Sequence, residues 1–151
     1  MDPHARGIAG EFLVASCLSG AGCHVLFPQN QHLPYDLAFD CEGKTHRVQV
    51  KTTTSTVTER DKRQGRASPH VCLRATNKRK RSQIYPRTAF EYYAAVCYLP
   101  LKEEFPWVLL FPINTFNSAV SFSSANIEKY NLEKVIGELR EQNCRSDNKA
   151  V

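Results

Sequence analysis

YDLAFDCEGKTHRVQVKT, residues 35–52, is the stretch on which the architecture turns. It divides into two runs of strand character, Tyr35–Phe39 and Thr45–Thr52. Between them Asp40-Cys41-Glu42-Gly43-Lys44 makes a hairpin turn, with glycine available for positive φ. Side chains alternate faces along a strand, so Val48 and Val50 point toward a core while Arg47, Gln49 and Lys51 point the other way. Asp36 stands thirteen residues before Gln49, and a short turn folds it back beside Gln49 and Lys51. A carboxylate, a second oxygen donor and a lysine then share one sheet surface. Phosphodiester hydrolysis needs such a set. Hard oxygen ligands hold Mg²⁺, which takes up the scissile phosphate and lowers the pKa of a water. The lysine orients that water or balances charge developing in the transition state. Charged residues on the open face of a hairpin are nevertheless common, and D…Q-x-K by itself is a low-specificity pattern.

Moving toward the N-terminus, Asp2-Pro3 is a helix start: a capping side chain followed by proline at the first helical position. Ile8, Phe12, Ala15 and Leu18 recur at helical spacing, and Gly20-Ala21-Gly22 supplies the stop. Glu11 sits on this helix in GIAGE, among small and apolar residues, which predicts a carboxylate near the sheet. Such a group is costly unless a metal or hydrogen-bond partner meets it. The two glycines of this stretch, Gly7 and Gly10, allow another backbone to come close. Cys23–Phe27 reads as a short strand ended by Pro28.

Moving toward the C-terminus, residues 53–87 are polar and basic around Gly65, with a strand-like Val71–Ala75. Tyr92–Leu99 and Trp107–Phe111 are strong strand candidates, and their aromatic residues, Tyr92, Tyr93, Tyr98 and Trp107, read as core. From Ile127 the positions Leu132, Val135, Ile136 and Leu139 suggest a final amphipathic helix, frayed after about Gln142. Helix, three strands, basic excursion, two strands and helix point to one layered α/β domain with a mixed sheet.

Composition narrows the partners. The net charge is +5, yet between residues 45 and 87 twelve Lys/Arg face only Glu59 and Asp61. That local excess suits a polyanion. The six cysteines include no C-x-x-C pair, so zinc and thiol-redox sites are not suggested; Cys17, Cys72 and Cys97 lie in apolar runs and read as buried. His4, His24, His32, His46 and His70 are scattered and form no evident ligand set. No apolar run approaches the ~18 residues of a membrane span, and no leader is evident. A soluble protein of the cytoplasm is the expectation.

G-x-x-G-E on a first helix, a short strand, Y-D-L, then R-V-Q-V-K on the next strand resembles the PD-(D/E)XK nuclease superfamily. The whole chain is similar to its group I intron-encoded homing endonucleases. The resemblance implies a restriction-endonuclease-like core, with a mixed central sheet flanked by helices, and a Mg²⁺-dependent (Mn²⁺ as substitute) double-strand DNA endonuclease. It assigns Asp36 as a metal-binding aspartate, Lys51 as the catalytic lysine and Glu11 as the helix-borne acid. Tyr35 replaces the proline of the motif. Gln49 stands where Asp or Glu is usual; it offers metal an oxygen without charge. The implied partner is double-stranded DNA, cut by a homo-oligomer: a dimer at minimum, with a tetramer plausible. Residues 53–82 are then expected to be a DNA-reading insertion, a two-stranded ribbon or its equivalent, in which the run from Thr52 to Thr58 faces a partner run from Arg74 to Arg81. Its candidate DNA contacts are Arg60, Lys62, Arg63, Gln64, Arg66, Arg74, Asn77, Lys78, Arg79, Lys80 and Arg81. The alternatives are a Holliday-junction or repair nuclease, which reads shape, and a DNA-binding module silenced through Gln49.

Overall fold

The computed structural model describes residues 2–30, 32–54, 57, 59–65, 68–77, 80–83, 85–98 and 107–147. Helix α1 (Pro3–Gly20) starts as its sequence dictates, the Asp2 carboxylate accepting the Ala5 N–H at 3.2 Å. Its buried residues are Gly10, Val14, Ala15 and Leu18. The predicted stripe through Ile8 and Phe12 is therefore corrected: both are exposed. Ala15 and Leu18 of that stripe do face the core, but the helix is rotated so that Gly10 lies against β3, where a Cβ would stand 2.1 Å from Thr52 Oγ1. Gly7 meets nothing of the kind.

Strands β1 (His24–Leu26), β2 (Leu37–Cys41) and β3 (Lys44–Thr54) follow. The β2–β3 turn is tighter than expected, just Glu42 and Gly43, at φ 51° and 75°. Positive φ at both central residues matches the twist of a two-residue hairpin. Register is Leu37 opposite Val48, and Val48 and Val50 are buried as predicted. After β3 the chain forms a short helix α2 (Glu59–Arg63), then β4 (His70–Cys72), β5 (Ala75–Asn77) and β6 (Lys80–Gln83). It returns as β7 (Tyr92–Tyr98), β8 (Trp107–Pro112), β9 (Ala119–Ser121), α3 (Ser124–Tyr130) and α4 (Leu132–Asp147).

The central sheet has the order β1-β2-β3-β7-β8. Its pairs are antiparallel except β3–β7, which run parallel from Val48 opposite Tyr92 to Thr54 opposite Tyr98. A parallel neighbour requires a crossover, and the excursion between β3 and β7 is that crossover. One face of the sheet packs Val48, Val50, Ala94 and Val96 on Val14 and Leu18 of α1 and on Val135 and Ile136 of α4. The other face packs Tyr93, Ala95, Cys97 and Phe111 on Val71, Val120 and Phe122. The result is a mixed sheet between two layers, as a restriction-endonuclease-like core requires.

Several expectations shift. The excursion is not a ribbon of Thr52–Thr58 against Arg74–Arg81: β3 runs on to Thr54, residues 59–63 are helical, and the two-stranded hairpin pairs β5 with β6. Val71–Ala75 is not one strand, because β4 ends at Cys72 to pair with β9. The last helix is two, broken at Asn131, whose extended backbone bridges to Leu109. It continues to Asp147 rather than fraying at Gln142. Cys97 is buried as predicted, whereas Cys17 is half-buried and Cys72 exposed. Tyr93 is fully in the core, and Tyr92, Tyr98 and Trp107 pack at its margins. Among the described residues no helix is long and apolar enough to cross a membrane.

Candidate active site

Asp36 sits just before β2, where the hairpin ladder ends. Its N–H donates to the Val48 carbonyl at 2.9 Å, which keeps the chain in register for one residue more. Its carboxylate turns onto β3. Oδ2 accepts the Val50 N–H at 2.7 Å and the Gln49 amide nitrogen at 2.5 Å. The same amide nitrogen reaches the Val50 carbonyl at 3.3 Å. Gln49 is only 8% exposed, the one buried polar side chain among the described residues, so these bonds meet a real desolvation cost. The predicted spacing therefore does bring Asp36 and Gln49 together, across the hairpin.

Lys51 lies two residues on along β3, half-buried, on the face that also carries Gln49. Its ammonium donates to the Tyr85 hydroxyl at 3.5 Å. Burial pushes the Asp36 carboxyl above its ordinary range, against the pull of the Val50 N–H, the Lys51 charge and the Gln49 amide. Glu11 is half-buried on α1. Burial and then the Asp36 charge push its carboxyl up, with His4 pulling it down. Glu11 and Asp36 line one cleft of about 480 Å³, with His4, Phe27, Leu33 and Tyr35 around them.

Among the described residues no group of three or more His, Cys, Asp and Glu converges on a point. The oxygen donors available to a cation here are Glu11 and Asp36, plus the neutral Gln49. Two carboxylates whose proton affinity is raised, both by burial and Glu11 also by the Asp36 charge, form a site that a divalent cation relieves. As placed, the Gln49 amide turns its nitrogen, not its oxygen, toward Asp36. A half-turn of the amide exchanges the two, so the donor set fits a hard cation with Gln49 as a third, uncharged ligand.

Beside the site, Arg47 ties the starts of β3 and β7. It forms an ion pair with Glu91, whose Oε2 also takes the Arg47 N–H at 2.7 Å. The Arg47 guanidinium stands 5.9 Å from the Tyr35 ring centre. Neither this clamp nor the Tyr85 contact was evident from spacing, since both partners lie across the crossover. His4, one of five histidines scattered through the sequence, shares a helical face and the cleft with Glu11.

The predicted DNA contacts are spread along the excursion. Arg60, Lys62 and Arg63 are exposed on α2, with Gln64 after it, and Lys62 pairs with Glu59 at 2.7 Å. Arg74 is half-buried between β4 and β5. Asn77 falls on β5, and Lys80 and Arg81 fall on β6. Arg66, Lys78 and Arg79 lie outside the described residues.

A family model for PD-(D/E)XK endonucleases matches residues 1–138. The chain belongs to that family. A solved structure of a bacterial homing endonuclease, I-Ssp6803I, is similar over 97% of this chain and 99% of that one, at 21% identity and TM-score 0.69. The Holliday junction resolvase Hjc of Archaeoglobus fulgidus is a looser likeness: 87% of this chain, 95% of that one, 13% identity and TM-score 0.49. Among curated proteins none matches significantly. The family makes this chain an endonuclease-fold protein, and the first likeness is one of overall fold.

Proposed function

We propose that the chain is a sequence-specific, Mg²⁺-dependent double-strand DNA endonuclease of the intron-homing type, with Glu11, Asp36, Gln49 and Lys51 as its active site. One observation carries the reading: Glu11 and Asp36 line one cleft, and the Lys51 charge on β3 acts on the same Asp36 carboxylate. Glu11, Asp36 and the Gln49 oxygen would hold the metal, with Mn²⁺ able to replace Mg²⁺. When bound, Mg²⁺ supplies charge to a phosphate oxygen and an acidified water. The Val50 N–H holds the Asp36 carboxylate through Oδ2 before substrate arrives. The Lys51 ammonium stands near enough to Asp36 to lower that group's proton affinity, a place from which it can meet a phosphate oxygen or orient the attacking water.

The likeness to a homing endonuclease supports the assignment of residues 53–82 as a DNA-reading insertion within a single domain. Exposed Arg60, Lys62 and Arg63 on α2, Gln64 just after it, and the β5–β6 hairpin with Asn77, Lys80 and Arg81, are its contacts in this reading. A two-stranded hairpin is narrow enough for the major groove. Each chain has one such catalytic set, and cutting both strands calls for two, so the working unit is at least a dimer. Incubation with linear DNA pools, with and without Mg²⁺, tests the reading. Discrete metal-dependent fragments with a common end sequence are expected; binding without any cutting would make the chain a DNA-binding module instead.

A further inference from the structure

Tyr85 is in none of the roles above, yet its hydroxyl is the group that receives the Lys51 ammonium, at 3.5 Å. The same ammonium is 5.4 Å from the centre of the Tyr85 ring. Together the two distances put the charge off the hydroxyl end of the ring and not above its face, so the oxygen is the contact that matters. The ring cannot easily move. It meets Phe90 edge-on at 5.2 Å and lies 6.4 Å from Tyr93. Phe90 and Tyr93 are themselves buried and in edge contact at 4.8 Å. Tyr93 in turn donates its hydroxyl proton to the Leu73 carbonyl at 2.9 Å. Tyr85 is thus a polar tip on a rigid aromatic base.

Lysine is the opposite kind of side chain, with four rotatable carbons and large rotamer freedom. A catalytic ammonium left free would spend most of its time away from the reacting phosphate, and displacement of a reacting group by about 1 Å can cost on the order of a hundredfold in rate. We propose that Tyr85 is the positioning residue for Lys51, its hydroxyl fixing where the ammonium stands beside Asp36. Tyr85 follows β6 by two residues, so the segment that leaves the basic hairpin ends at the lysine. The proposal rests on the nuclease reading, which gives Lys51 its role.

The test compares the parent, Tyr85→Phe and Lys51→Ala in single-turnover DNA cleavage, alongside DNA affinity and Tm. Phenylalanine keeps the aromatic packing and deletes the oxygen alone. Tyr85→Phe is expected to cut about tenfold more slowly, the value of one hydrogen bond to a charged group, with affinity and Tm at parent values. In the metal-free parent, nuclear Overhauser contacts are expected between the Lys51 ε-methylene and the Tyr85 ring, whether or not DNA is cut. A parent that cuts beside an unimpaired Tyr85→Phe overturns this inference and leaves the nuclease reading standing. A slowing that tracks a loss of Tm or affinity, or a missing Overhauser contact, overturns it likewise. A parent that does not cut sinks the nuclease reading, and the positioning role with it.

Discussion

Glu11 and Asp36 work against the metal-free fold at neutral pH, because each is held above its ordinary proton affinity, by burial first. A carboxyl whose folded pKa is raised favours the folded state fully below its unfolded value. That contribution is lost as pH rises through the folded value. Glu11→Gln should therefore raise Tm in EDTA at pH 7, with the difference from the parent closing below the ordinary carboxylate range, while abolishing cleavage. A lower Tm at pH 7 would contradict the electrostatics. Gln49→Glu goes the other way: it sets a third charge against Asp36 Oδ2, so metal-free Tm should fall while half-saturating Mg²⁺ drops. An unchanged Mg²⁺ titration would count against Gln49 as a ligand. At this scale the sequence was most readable. Strand alternation and a short turn are enough to bring Asp36, Gln49 and Lys51 together. Tyr85 was not readable, since its contact depends on the path of a crossover that no periodicity describes.

Gly10 decides how α1 sits and therefore where Glu11 stands. Hydropathy favoured the Ile8–Phe12 stripe, because glycine adds nothing to such a pattern; what matters is its missing Cβ against Thr52. Gly10→Ala should cost about 1–3 kcal/mol by overpacking, in spite of the roughly 1 kcal/mol that alanine gains in helix propensity. Urea denaturation measures it. Adding Thr52→Ala, which removes the clashing oxygen, should restore part of the loss, whereas strict additivity would place the strain elsewhere. The β2–β3 hairpin was legible down to its core valines. The α3–α4 break was not, since the apolar spacing from Ile127 to Leu139 continues through Asn131, and only the bridge to Leu109 shows why the chain leaves helical geometry there.

The charge of the molecule is as uneven as its chemistry: the crossover between β3 and β7 carries half of the basic residues, while α1 and the segment leading into β2 supply the carboxylate cleft. The logarithm of DNA affinity should fall linearly with the logarithm of salt concentration, with Arg60→Ala and Arg63→Ala each reducing the slope by about one if they hold phosphates. Slopes equal to the parent's would remove α2 from the DNA surface. The insertion was legible as a charge excess, but not its inner form, because short helices and hairpins in a polar stretch leave little hydrophobic pattern to read. The central claim is that the Glu11–Asp36 cleft, with Gln49 and Lys51 beside it, hydrolyses phosphodiesters. Single-turnover cleavage of one defined DNA in Mg²⁺, by the parent and by Asp36→Asn and Lys51→Ala at matched DNA affinity, tests it most directly. The account predicts cutting by the parent and a loss of at least about a hundredfold in each variant. Cleavage at parental rates by either variant, or none by the parent, would contradict it.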